Sequence, residues 1–381
     1  MRRVKQTKSF LEEEYGLTAR PFKSRIATDI ELQMWVNREK EVDQWNKVLD
    51  DALKTPTSNF LAFIIGTYGM GKTLSLLKIV RESTEKGAYS IYLNLLSEQR
   101  PKNPGLDFLL RIIRSIELDK INVTRKDLAL IREVLPDGGN AFEKIFFPGN
   151  EDEKRLAISF VKGEIKPTQA QLKSMGVLRR IDDVDIAKEY LIGILYILKV
   201  LGYSTLVVAA DEFEYLFSIV PKPAQPIYLA LLRRLFDLPA FIPEKLRSKV
   251  ANMALFVGTS EDGMMRLTVL ENIEKSTGGP IQPLMRRVNA RIPLGPLNRK
   301  YVRELIERRL RLNRVKGVFE KDPLIPFTEG FVGYVNKLTR GRPSDVIERC
   351  DHVLDAGLAQ RVPRLTSEFA KEVFKERGFN Y

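Results

Sequence analysis

Residues 66–73 read Gly66-Thr67-Tyr68-Gly69-Met70-Gly71-Lys72-Thr73, a complete G-x-x-x-x-G-K-[ST] pattern. The apolar run Phe60-Leu61-Ala62-Phe63-Ile64-Ile65 leads into it, and Leu74-Ser75-Leu76-Leu77-Lys78-Ile79-Val80 leaves it at helical spacing. A strand, a tight glycine loop and a helix in that order are what the pattern needs before it carries meaning. The glycines let backbone N–H groups close around a β-phosphate, and the following helix adds the positive end of its dipole. Lys72 is placed to reach the β- and γ-oxygens, and the Thr73 hydroxyl to take a position on Mg2+. Residues Gly66 to Leu74 are therefore expected to bind a nucleoside triphosphate, and the rest of the chain must supply a sheet able to present them.

Further strands follow at Tyr89-Ser90-Ile91-Tyr92-Leu93, Thr205-Leu206-Val207-Val208-Ala209-Ala210-Asp211-Glu212, Met253-Ala254-Leu255-Phe256-Val257 and Ala290-Arg291-Ile292-Pro293-Leu294. Short unalternating apolar strands separated by helical patterns predict a five-stranded parallel sheet covered on both faces, an α/β fold. A helix with apolar positions Val42, Trp45, Val48, Leu49 and Leu53 precedes the first strand, and another runs from Leu106 to Ile116. Residues from about 118 to 185 read as a helical insertion, including a capped helix after Thr168, and a long helix follows from about Asp183 to Leu201. Beyond Pro296 the pattern is wholly helical, with N-cap candidates at Asn298, Ser344 and Thr366. The expected organisation is an arm over 1–35, an α/β core over 36–297 and a helical domain over 298–381.

Asp211 and Glu212 close an apolar strand, which puts them at the carboxyl edge where such sheets bind ligands. In that position Asp211 would order Mg2+ through water and Glu212 would polarise the attacking water. Glu214 reads as a surface residue of the next turn. Thr259, at the end of the following strand, has a hydroxyl suited to the γ-phosphate, and Ser260 is its alternative. Leu284-Met285-Arg286-Arg287-Val288-Asn289-Ala290-Arg291 supplies three arginines just before a strand. A guanidinium meets transition-state charge on a γ-phosphoryl group well. Arg287 is the first choice for that part, facing a neighbouring subunit's nucleotide, with Arg286 and Arg291 behind it.

Composition narrows the partners. Of 381 residues, 62 are Lys or Arg against 49 Asp or Glu, a net charge of +13, which favours an acidic partner and nucleic acid first. The basic stretches Arg299 to Arg314 and Arg340 to Arg342 are the expected anionic-partner surface, although i,i+4 pairing suits several of these residues equally. One cysteine, Cys350, and one histidine, His352, exclude a disulfide and most metal or histidine-dependent schemes, so both are read as packing residues. No apolar stretch has the length of a membrane span, and no apolar segment follows Met1-Arg2-Arg3-Val4-Lys5, so a cytoplasmic protein is expected.

Phosphate loop, Asp-Glu strand, polar strand end, arginines and helical lid, in this order, resemble an AAA+ ATPase, a P-loop NTPase. The resemblance spans roughly residues 30–380. Val36-Asn37-Arg38-Glu39 resembles the Gly-Arg-Glu segment of origin-recognition initiators and related archaeal ATPases, which implies that Asn37 and Arg38 lie by the adenine. Between Phe160 and Leu216, the passages Phe160-Val161-Lys162-Gly163-Glu164, Met175-Gly176-Val177, Ile181-Asp182-Asp183, Leu201-Gly202-Tyr203 and Asp211-Glu212-Phe213-Glu214 are similar to the ATP-binding proteins of BREX-type phage-exclusion systems. Gly341-Arg342-Pro343-Ser344 departs from the Gly-x-Pro-Arg sensor of these families, so either Arg342 or Arg349 substitutes or the sensor role is lost. The residues after Gly341 suffice for two lid helices and not for the winged helix that initiators carry. The resemblance implies an ATP- and Mg2+-dependent oligomeric switch or motor, acting on DNA with partner proteins of a larger complex, related to genome defence or to replication. A scaffold NTPase that gates protein contacts without nucleic acid is the alternative.

Overall fold

The computed structural model describes residues 9–23, 32–96, 103–215, 225–277 and 281–378; Leu216 and the Met1–Lys5 segment lie outside them. The chain divides into two compact units: Lys40–Ile65 with Ser75–Pro293, and Met1–Glu39 with Gly66–Leu74 and Leu294–Tyr381.

The first unit is built on the expected sheet. Strands β1 (Phe60–Ile65), β2 (Tyr89–Asn94), β3 (Thr205–Asp211), β4 (Asn252–Thr259) and β5 (Ala290–Pro293) run parallel in the order β2-β3-β4-β1-β5. Every residue of β3 and of β4 is buried, as strands covered on both faces must be, and this is why they read as continuous apolar runs. The register opposes Ile65 to Thr259 and Asn94 to Asp211, so the strand ends that carry polar groups share one edge.

The helices between β2 and β3 are held by local caps and by a core continuous with that of the sheet. Asn150 accepts the Glu153 N–H at 2.9 Å to open helix Glu151–Val161. Thr168 and Gln171 form a reciprocal capping box on Gln169–Met175, which ends in left-handed Gly176. Asp183 caps the long helix Val184–Val200. Tyr190 on that helix meets Phe160 edge-on at 5.6 Å and Phe142 at 6.1 Å. Each such buried aromatic contributes on the order of 2 kcal/mol through area alone.

The second unit has its own core, in which Tyr15, Leu17 and Phe22 pack with helices Arg299–Leu312, Glu329–Thr339, Pro343–Gln360 and Ser367–Glu376. Asn298 and Thr366 cap helices as expected. Ser344 does not: its helix starts one residue earlier, at Pro343, because proline's fixed φ suits the first helical position and its missing N–H needs no acceptor. The basic stretch from Arg299 to Arg314 is also reassigned. Arg309 is buried and donates to the Pro21 carbonyl at 3.0 Å, and Arg314 donates to the carbonyls of Tyr15, Pro323 and Ile325 at 2.7–2.9 Å. Arg303 pairs with Glu307 and Glu329, and Arg308 with Glu304 and the Trp35 carbonyl. These cations fasten the N-terminal segment and the helices, so much of the stretch is structural. Cys350 is fully buried, which pushes its thiol well above the usual range, in keeping with a packing residue.

Candidate nucleotide site

The phosphate loop continues directly from β1. Gly69 (φ 82°) and Gly71 (φ 95°) take left-handed conformations that residues with a side chain rarely adopt. A Cβ on Gly71 would project into open space, and one on Gly69 would fall 1.9 Å from Ser344 Oγ. Gly71 is thus needed for its conformation and not for space, while Gly69 permits a close approach by the helical unit it belongs to. Lys72 is buried, and its ammonium donates to the Gly66 carbonyl at 3.0 Å, folding back over the loop. The Thr67 hydroxyl is shielded from solvent without a hydrogen-bond partner, a polar atom that a bound ligand can satisfy. Tyr68 is 84% exposed at the tip. Thr73 stands half-buried in the first turn of helix Lys72–Glu85, followed by Leu74. Left-handed glycines, an internal ammonium and an orphaned hydroxyl fit a polyphosphate.

Two further groups expected at the nucleotide flank this loop. Asn37 has φ 47°, and Arg38, 5% exposed, donates to the Met70 carbonyl at 3.2 Å. Arg38 therefore braces the loop's backbone. Arg342 lies beside Gly69 and pairs with Asp345 at 3.3 Å, while the Ser344 N–H donates to the Gly69 carbonyl at 3.2 Å. The Gly341-Arg342-Pro343-Ser344 turn, which departs from the sensor pattern, is thus seated on the phosphate loop. Gly341 (φ 72°) makes this possible, since a Cβ there would lie 1.9 Å from the Leu297 carbonyl oxygen.

The carboxylates belong to the sheet. Asp211 is 2% exposed at the end of β3. Its Oδ1 accepts the Glu212 N–H at 2.9 Å, and its Oδ2 accepts the Tyr92 hydroxyl at 3.0 Å. Gly258 on β4 makes room, for a Cβ there would come 2.8 Å from Asp211 Oδ1. Glu212 leaves the strand with φ 59°, and the Phe213 N–H returns to the Gly258 carbonyl at 3.0 Å. Glu214, expected at the surface, is half-buried near Gly263. Thr259 is fully buried at the end of β4, where only the absent side chain of Gly263 leaves room for its hydroxyl. Ser260 instead serves the next helix, Glu261–Thr277, where its Oγ accepts the Gly263 N–H at 3.0 Å. Asp211, Glu212 and Thr259 are thus gathered on adjacent strands. An oxygen-rich, carboxylate-bearing group suits Mg2+.

Arg286, Arg287 and Arg291 sit apart from these groups. Asn289 exchanges hydrogen bonds with the backbone of Leu61 at 2.8 Å, which anchors the preceding arginines at the amino edge of the sheet, opposite to Asp211. Arg287 donates twice to Asp237 Oδ1, at 2.6 and 3.0 Å, and once to the Pro283 carbonyl. With Arg247 and Arg286 it lines a cleft of about 620 Å3. Arg286 and Arg287 thus lie at the amino edge of the sheet, whereas Arg291 lies within β5, in register with Phe63 of β1. Tyr92, Gly258, Gly263 and Asp237 carry no sequence signal, because each matters only through a distant partner.

Residues 139–272 match the family model described as BREX system ATP-binding protein BrxC/D. Among solved structures, the ORC2 protein of Aeropyrum pernix, in ADPNP–ADP complexes, is similar with a TM-score of 0.56 at 14% identity, over 95% of this chain and 72% of that one. Cdc6p from Pyrobaculum aerophilum gives 0.51 at 14% identity, over 93% and 70%. Drosophila ORC bound to DNA gives 0.51 at 12%, over 99% and 68%. At these identities the likeness is one of fold. No curated protein matches. Among the described residues no helix is long and apolar enough to cross a membrane. The chain has the P-loop fold of the AAA+ initiators and, over residues 139–272, resembles the ATP-binding proteins of BREX systems.

Proposed function

We propose that this chain is a Mg2+-dependent ATP hydrolase that assembles with copies of itself and works as an ATP-driven switch or motor on DNA, in the cytoplasm, within a larger genome-defence complex. The observation that carries the reading is the Asp211–Glu212 turn beside Thr259, at the edge of the sheet from which β1 runs into the phosphate loop. In this reading Gly66 to Leu74 hold the phosphates, with Lys72 released from the Gly66 carbonyl to meet the β/γ-oxygens. Thr73 and Asp211 order Mg2+, which when bound supplies charge neutralisation on the phosphates. Glu212 accepts a proton from the attacking water, and Thr259 holds that water by its hydroxyl. Arg38 and Arg342 set the loop from the helical unit, with Asn37 near the base. Arg287, freed from Asp237, serves a neighbour's nucleotide; Arg286 and Arg291 are its alternatives. The domain division at 36–297 and 298–381, with the arm over 1–35, belongs to the same reading.

Lys72→Ala is expected to abolish nucleotide binding in calorimetry with Mg2+ present. Glu212→Gln is expected to bind ATP normally and hydrolyse it about 10²–10⁴-fold more slowly. Undiminished turnover in Glu212→Gln would strip Glu212 of the general-base role.

A scaffold NTPase without nucleic acid is favoured by one observation, the internal use of the Arg303, Arg308, Arg309 and Arg314 guanidinium groups. Failure of both duplex and single-stranded DNA to bind at low salt with ATP would decide for it.

A further inference from the structure

We infer that Tyr92 is a positioning residue for the metal-ordering carboxylate, setting how Asp211 presents its oxygens to a magnesium–nucleotide complex. The inference rests on the reading of Asp211 given above. In the β2–β3 register Tyr92 faces Ala209, two residues before Asp211 and on the same side of the sheet. Alanine at that position has only a methyl group, so the phenol can lean along β3, and its hydroxyl donates to Asp211 Oδ2 at 3.0 Å. The other oxygen is bound by the Glu212 N–H at 2.9 Å, and Gly258 bounds the carboxylate from β4. Asp211 is thereby held by a hydrogen bond on each oxygen in a site almost without solvent.

A carboxylate on a strand end ordinarily rotates about its terminal torsion, which is broad. Fixing it beforehand removes an ordering cost that metal binding would otherwise carry. Partners that orient a metal-associated carboxylate in this way are commonly worth 10–100-fold in metal affinity. The hydroxyl donates a neutral hydrogen bond, so it fixes direction without cancelling the carboxylate's charge. Tyr92→Phe removes that bond and keeps the ring.

The test measures binding of a fluorescent, non-hydrolysable ATP analogue to the full chain, in EDTA and across a Mg2+ titration. In Tyr92→Phe, affinity in EDTA should equal that of the unaltered protein, while half-saturating Mg2+ rises roughly tenfold. Turnover should recover at high Mg2+, so that kcat returns with KM for ATP little changed. A general loss of packing would lower affinity in both conditions alike. If Tyr92→Phe fails to fold, Tyr92→Leu carries the same prediction. An unshifted Mg2+ midpoint in the folded variant overturns the role of Tyr92. An unaltered protein whose analogue binding ignores Mg2+ would instead overturn the reading of Asp211.

Discussion

Glu212, with φ 59°, is one of the described non-glycine residues whose backbone takes a conformation that its side chain disfavours. A left-handed conformation at a non-glycine position costs on the order of 1–3 kcal/mol and persists only where its surroundings enforce it. Here the Glu212 N–H is bound by Asp211, and the next N–H by Gly258. Asparagine tolerates this conformation better. Glu212→Asn is therefore expected to raise stability by up to about 1 kcal/mol while eliminating turnover, as read from urea midpoints beside an ATPase assay. Gly258 tests the opposite constraint. Its alanine variant would place a methyl 2.8 Å from Asp211 Oδ1 and 2.9 Å from Leu76 Cδ1. We expect a loss of about 1–3 kcal/mol, together with a weakened Mg2+ response of nucleotide binding.

At the scale of elements, the helical unit depends on cations turned inward. Arg314 satisfies three carbonyls and is half-buried, which lowers its pKa by desolvation. Charge-assisted bonds of this kind contribute about 1.5–3 kcal/mol each before shared costs. Arg314→Met, which keeps the aliphatic stem, should destabilise this unit by about 3 kcal/mol. Hydrogen exchange should show faster opening in Arg299–Leu312 and little change in β3 and β4. His352, on helix Pro343–Gln360, has its pKa lowered by burial first and then by Arg377. A group whose pKa is depressed by folding contributes stability that is present above its ordinary value, 6.5, and is lost as pH falls through the lowered one. Denaturant titrations of His352→Gln should thus show a flatter stability slope on the acid side of pH 6.5.

For the whole molecule, the net charge of +13 overstates the cationic surface, because part of it is spent inside the helical unit. If the chain acts on DNA as proposed, its DNA affinity is expected to fall steeply with salt, since phosphate contacts release counterions. Arg303→Ala should leave that salt slope unchanged, because its guanidinium is already paired with Glu307 and Glu329. Arg287→Ala should bind ATP normally and lose the dependence of specific activity on protein concentration. Full assembly-dependent activity in that variant would pass the role to Arg286 or Arg291.

Contiguous residues are enough to reveal the glycine loop between strand and helix, five strands to within a residue or two of their ends, the acids that close β3 and the Thr168 cap. Each depends on near neighbours: a glycine's freedom, an apolar run, a hydroxyl three residues before an amide. Ser344 fails as a cap because the neighbouring proline competes for the helix start, and spacing alone leaves the arginines of 299–314 open between a partner surface and internal pairing. The strand order β2-β3-β4-β1-β5, the bond from Tyr92 to Asp211, the clamp of Asp237 on Arg287 and the seat of Ser344 on Gly69 join segments far apart in the chain. Such pairings are settled when collapse satisfies all buried polar groups together, and no local stretch of sequence contains that condition.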